Sequence, residues 1–165
     1  FYSISNTQVG LRGVSFGDSL IKRVVESLHE EFPRLKTFAT LSPIPGLRSW
    51  LAKHAPPDLL QAWEAAPDLA DKSPQRVALK QWAARYLGRE LQDGKPLDAV
   101  ARFHLGNGAR VERLNWAADP SAKGFKQSYG LMVNYLYDLK KLDKNRAALA
   151  QGKIPIASAI KDLLP

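Results

Sequence analysis

Residues 38–46, FATLSPIPG, limit the fold more tightly than any other stretch of the chain. An apolar run closes on Ser42, and Pro43, Pro45 and Gly46 forbid a regular continuation, because proline fixes φ and lacks an N–H while glycine favours turns. LKTFATL therefore reads as a buried strand that ends at the edge of a sheet. Upstream, LIKRVVESLHEEF places apolar residues at 20, 21, 24, 25, 28 and 32, the spacing of one helix face. Asp18 or Ser19 is its expected N-cap and Pro33 its stop. FYSISN, before it, is β-rich, and glycines at 10, 13 and 17 fall in the connection. Residues 1–41 thus read as strand, glycine loop, helix, strand: the βαβ pattern of an α/β or mixed sheet.

Beyond Gly46 the pattern turns helical. LRSWLAKH is a short helix ended by Pro56 and Pro57, and DLLQAWEAA another ended by Pro67. SPQRVALKQWAARYLG is better marked, with Ser73 as N-cap, Pro74 at the first position and Gly88 at the end. Its expected apolar face is Val77, Leu79, Trp82, Ala83, Tyr86 and Leu87. AVARFHLGNGARVERLNW reads as a β-hairpin, with Gly106-Asn107 or Asn107-Gly108 as the turn pair. DPSAKGFKQSYGLMVNYLYDLKKL is expected to be a helix capped by Asp119 or Ser121, followed by a helix near 143–150 and a last short one.

The 165 residues, 45% hydrophobic, suit one domain with a real core. No uninterrupted apolar stretch reaches the length of a membrane span. FYSISNTQ has neither an initiator methionine nor a basic n-region, so it does not read as a signal peptide. A chain that opens within a strand reads as part of something longer. With no cysteine there is no disulfide framework or thiolate metal site, which fits a reducing compartment. The net charge of +8 favours an anionic partner. The basic residues are scattered, however, which speaks against a nucleic-acid arm.

Three features could carry chemistry. The first is QVGLRGVSFGDS, a glycine loop opening into a helix, where backbone N–H groups and the helix N-terminus could cradle a phosphate. It is neither a Walker loop nor a dinucleotide fingerprint, and Arg12 is its one cation, so a plain connection stays open. The second is Ser42, either a turn cap or a hydroxyl held rigid for a task. The third is His104, read as a hairpin residue on the face of Arg102. His29 among glutamates and His54 at a helix end read as structural. No two histidines stand at ligand spacing and no carboxylate cluster lies near His104, so no metal is expected. Without a G-x-S-x-G elbow, a serine hydrolase is poorly supported.

SNTQVGLRGVSFGDSLIKRVV resembles the acyl-CoA pyrophosphate loop of the GNAT superfamily, which has a Q/R-x-x-G-x-G/A motif between strand and helix. Residues 1–54 and 95–140 are similar to one branch, the malonyl-CoA decarboxylase family, with LSPIPG, FHLGNGA and the later NW as the specific motifs. The resemblance implies a GNAT-like fold with a mixed α/β sheet, inserted helices and C-terminal helices. Residues 1–165 would be the C-terminal portion of its catalytic domain, after an N-terminal helical domain and the first strands. It implies an enzyme of fatty acid metabolism that decarboxylates malonyl-CoA to acetyl-CoA and carbon dioxide. Coenzyme A is part of the substrate, and no separate cofactor is expected. The implied partners are malonyl-CoA, the N-terminal part of the same protein and further copies in a homo-oligomer, with neither nucleic acid nor membrane. The implied location is cytoplasmic, or mitochondrial or peroxisomal in a eukaryote.

The same resemblance implies the site. Ser42 and His104 would be catalytic, and Gln8, Arg12, Gly13, Val14, Ser15, Phe16, Gly17, Asp18 and Ile21 would bind substrate and coenzyme. Asn107 and Asn134 are candidates for polar support, whereas Trp116, Tyr135 and Tyr137 read as core. Arg12 and Asp18 stand at loop positions that vary in the family, and Leu47 stands where an aromatic is frequent. The alternatives are an N-acyltransferase on the same fold, which would share the loop but need an amine channel, and a basic nucleic-acid-binding module. The latter leaves Ser42 and His104 without a purpose.

Overall fold

The computed structural model describes residues 17–65 and 72–164. Helix α1 (Gly17–Glu31) leads to β1 (Ser42–Pro43) through an extended segment. Three helices follow: α2 (Leu47–His54), α3 (Pro57–Ala65) and α4 (Pro74–Gly88). Next come β2 (Leu91–Gln92), β3 (Lys95–Pro96), α5 (Ala99–Gly106) and β4 (Arg110–Asn115). The chain closes with α6 (Ala122–Ser128), β5 (Met132–Leu136), α7 (Leu142–Ala150) and α8 (Ser158–Lys161). The mixed α/β class is as expected, while the first strand of the anticipated βαβ unit lies outside the described residues.

The sheet has the order β1–β5–β4, all antiparallel. Ser42 faces Val133 and Pro43 faces Met132. The expected strand before Ser42 is an irregular extension of β1: Ala39 bridges Leu136, and Thr40 N–H donates to Tyr135 O at 3.0 Å. Proline has no N–H for the ladder, so Pro43 belongs at a strand end. On the other flank, Val111 N–H donates to Pro155 O and Ala157 N–H to Val111 O, both at 2.9 Å. Residues 155–157 thereby cover the edge of β4 in parallel.

The proline-marked helices form where the sequence places them. Ser73 accepts from Arg76 N–H and Pro74 opens α4, since proline's missing N–H costs nothing there. Leu79, Ala83 and Leu87 point into the core, but Val77 is exposed. Asp18 and Ser19 lie inside α1 rather than capping it. Between α4 and α5, β2 and β3 join through Asp93 and Gly94, both at positive φ, the two-residue turn that Asp-Gly favours.

Two element assignments also fail. Residues 99–106 form helix α5, not the first arm of a hairpin. Asp98 caps it through Val100 and Ala101 N–H, and Ala101, His104 and Leu105 share its buried face, an i, i+3, i+4 set. Gly-Asn-Gly is the end of this helix. Asn107 is the C-cap and Gly108, at φ 86°, turns the chain into β4, the left-handed stop that glycine supplies without strain. A Cβ on Gly108 would lie 2.7 Å from Leu142 O. Gly108→Ala is therefore expected to cost roughly 2–4 kcal/mol in thermal or denaturant unfolding, from left-handed strain plus overpacking. The second failure is the long helix after Asp119. Ser121 does cap a helix, but α6 ends at Ser128 and Tyr129 and Gly130 take positive φ. MVNYL is then the central strand β5.

Candidate active site

Ser42 and His104, sixty-two positions apart, meet on the buried side of the sheet, with Ser42 Oγ 3.3 Å from His104 Nε2. Each arrives on a rigid element: Ser42 on β1 just before the proline turn, His104 in the last turn of α5. Thr40 lies two residues before Ser42, and its Oγ1 accepts the serine hydroxyl at 2.8 Å. The same Oγ1 accepts Tyr135 N–H at 3.1 Å. Tyr135 on β5 and Tyr137 just past its end stand two positions apart in extended chain, which puts both on one face. Tyr135 stacks on the imidazole with ring centroids 4.6 Å apart, and Tyr137 Oη lies 2.7 Å from His104 Nδ1.

These bonds run in one direction. Since Ser42 O–H donates to Thr40, its oxygen accepts from His104 Nε2–H. Nδ1 then accepts from Tyr137 O–H, because a neutral imidazole has one donor and one acceptor nitrogen. The assignment makes His104 a neutral donor toward Ser42, the reverse of a serine-activating base.

Burial reinforces it. Ser42 is 5% exposed and His104 4%, and desolvation lowers the imidazole pKa from 6.5 to about 4. The sign for stability follows directly. Between the two values the unfolded chain binds more protons than the folded one, so stability is present above pH 6.5 and is lost as pH falls toward 4. This group alone is expected to remove roughly 3 kcal/mol over that span. Denaturant midpoints at pH 7 and pH 5, compared with those of His104→Ala, measure the difference; equal pH slopes would refute the neutral, buried state.

Among the other expected site residues, Gln8, Arg12, Gly13, Val14, Ser15 and Phe16 lie outside the described residues. Gly17 and Asp18 open α1, whereas Ile21 packs into the core with Val25. Asn134 reaches the segment before Ser42: its Nδ2 donates to Thr40 O at 2.6 Å and its Oδ1 accepts from Asn115. Asn107 is the C-cap of α5, with its amide nitrogen buried and lacking a hydrogen-bond partner. His29 is exposed and His54 bonds back to Trp50 O. Among the described residues, no group of three or more His, Cys, Asp or Glu is placed to hold a metal ion. None of their helices is long and apolar enough to cross a membrane.

Thr40 and Asp98 are not singled out from the sequence, and Tyr137 is read there only as core, which its burial bears out. Thr40 was legible as the same-face neighbour of Ser42 in a strand. Reading MVNYLY as helix hid Tyr137, and reading AVARFHL as a strand hid the cap at Asp98.

This architecture is a mixed α/β chain that closes a hydroxyl–imidazole pair away from solvent. A family profile described as the malonyl-CoA decarboxylase C-terminal domain matches residues 1–165. The mitochondrial malonyl-CoA decarboxylases of Rattus norvegicus and Mus musculus are each 41% identical over 185 residues, which cover 93% of this chain and 38% of theirs. The crystal structure of malonyl-CoA decarboxylase from Agrobacterium vitis superposes with a TM-score of 0.87 at 45% identity, covering 99% of this chain and 44% of that one. That from Cupriavidus metallidurans gives 0.85 at 48%, covering 99% and 47%. The chain belongs to the malonyl-CoA decarboxylase family. It spans less than half the length of these relatives.

Proposed function

We propose that the full-length protein carrying this chain converts malonyl-CoA to acetyl-CoA and carbon dioxide, with Ser42 and His104 at the reacting centre. The observation that carries the proposal is the directed chain Tyr137–His104–Ser42–Thr40, closed from solvent and led by a neutral imidazole donor.

Malonyl-CoA bears a carboxylate β to a thioester carbonyl. Breaking the carboxylate's carbon–carbon bond sends its electron pair into the thioester as an enolate and releases carbon dioxide. The enzyme has to hold the carboxylate in line with the carbonyl π system, stabilise the growing charge on oxygen, and then protonate carbon. Hydrogen-bond donors fixed in a water-poor site stabilise such charge strongly. The donors assigned here are the Ser42 hydroxyl and His104 Nε2–H, each turning from its resting acceptor, Thr40 and Ser42 respectively, to the substrate oxygen. In the final step His104 Nε2 gives its proton to the enolate carbon while Tyr137 returns one to Nδ1. The ring never becomes a buried cation: after product release Nε2 takes a proton from solvent and Nδ1 returns its own to the Tyr137 oxygen, which restores the resting bonds.

The loop at 8–18 completes the reading, with its backbone N–H groups holding the coenzyme pyrophosphate and Gln8 orienting the pantetheine or thioester side. Support comes from α1, fifteen residues long, which opens at Gly17 directly after the loop and adds its N-terminal partial charge. The GNAT-like assignment is part of this proposal, supported by antiparallel β1–β5–β4 following α1. So are an N-terminal portion that completes the domain, a homo-oligomeric enzyme, and work in a reducing compartment such as the cytoplasm without a separate cofactor.

The test is to incubate the full-length protein with malonyl-CoA and follow acetyl-CoA and carbon dioxide in equal amounts. Acetyl transfer to an added amine without release of carbon dioxide would favour the acyltransferase and overturn the proposal.

A further inference from the structure

We infer that Asp98 is a positioning residue that fixes the serine's turn against the histidine's helix, each of its carboxylate oxygens holding one of the two elements. The inference rests on the roles proposed above for Ser42 and His104.

Asp98 is 2% exposed, and its two oxygens do different things. Oδ1 accepts Val100 and Ala101 N–H, both at 3.0 Å. That is an N-cap, and serine, threonine or asparagine would serve equally well. Oδ2 turns away from the helix and accepts Gly46 N–H at 3.3 Å and Tyr86 O–H at 3.4 Å. Capping does not require this second oxygen.

Gly46 ends the segment that Ser42 begins, and the intervening Pro43 and Pro45 leave it little freedom. His104 follows Asp98 by less than two turns of one helix. A single carboxylate therefore joins the two rigid pieces on which the reacting side chains ride. The space at Gly46 is shaped for the junction: a Cβ there would lie 2.2 Å from Tyr86 Oη and 3.5 Å from Asp98 Oδ2. α4 delivers Tyr86, 3% exposed, into this gap. Desolvation raises the Asp98 pKa, opposed by the N–H groups of Ala101, Gly46 and Val100. Those backbone donors stabilise the charged form the junction uses.

Asp98→Asn in the full-length enzyme separates the two functions. Asparagine keeps a cap oxygen, but its amide N–H₂ then faces Gly46 N–H and the link to the turn is lost. A misplacement of about 1 Å costs about a hundredfold in rate, so kcat is expected to fall about ten- to a hundredfold, with KM for malonyl-CoA within about twofold. As the loosened turn admits water, the His104 imidazole, followed by ¹⁵N NMR, is expected to titrate nearer 6.5. Asp98→Ser, which caps but is too short to reach Gly46, should behave alike.

Wild-type kcat and an unshifted His104 titration in a folded Asp98→Asn or Asp98→Ser protein would leave Asp98 as a cap only and overturn the inference. Should both variants fail to fold, Tyr86→Phe decides. It removes one donor to Oδ2, and a few-fold loss of kcat with the same titration shift is expected, whereas no change in either overturns the inference. The NMR titration needs no turnover. If His104→Ala proves fully active, the catalytic roles fail while the titration still tells whether Asp98 holds turn and helix together.

Discussion

His104→Ala is expected to lower malonyl-CoA turnover by about 10²–10⁴-fold, the largest single effect anticipated for this chain. The imidazole both touches Ser42 and receives a bond from Tyr137, so its removal breaks the relay at the centre. Folding should survive because α5 keeps its cap, but losing the ring stacked on Tyr135 leaves a cavity with a destabilisation of about 2 kcal/mol. Binding of a non-reactive CoA ester should stay near wild type, because the proposal assigns the coenzyme to the loop at 8–18 and not to His104. Steady-state kinetics beside calorimetric titration separate the two properties. Near-wild-type turnover would remove His104 from the mechanism.

Ser42→Ala is expected to reduce turnover by about 10²–10³-fold, the range for deleting one fixed donor to a developing oxyanion. The manner of the loss matters as much as its size. In the native site the serine proton points to Thr40, and His104 donates rather than accepts. Ser42 is therefore not primed as a nucleophile, and rapid mixing of native enzyme with malonyl-CoA should give no burst of free coenzyme A. A burst equal to the enzyme concentration would mean an acyl-serine and reverse the direction assigned to the hydrogen bonds. Thr40 retains Tyr135 N–H when the serine is gone, so the local ladder should hold.

Much of this architecture can be read from punctuation. Ser73, Pro74 and the proline pair at 56–57 bracket α4 and α2 correctly, because caps and prolines act within a few residues and need no tertiary partner. Residues 99–106 misled because Val100 and Ala101 beside Phe103 and Leu105 satisfy alternation and helical spacing alike. The decision comes from a carboxylate cap at one end and a crowded Gly108 at the other. MVNYL misled for a related reason: a short apolar run suits either element, and only pairing with β4 and β1 makes it a strand. The candidate pair was visible through family motifs and through the stiffness around Ser42. Its supports were less visible: Thr40 is legible as a same-face neighbour two residues away, whereas Tyr137 and Asp98 acquire their roles only when distant elements are packed together.

The closure of β4 by residues 155–157 bears on how the protein is made. During synthesis those residues emerge after all three strands of the sheet, so until they do the nascent sheet carries an unpaired flank able to recruit a foreign strand. A ribosome that stalls short of Ala157 releases a product whose hydroxyl–imidazole centre is already encoded in full but whose sheet is still sticky. Closing the sheet thus depends on a segment that supplies neither the hydroxyl nor the imidazole of the buried pair.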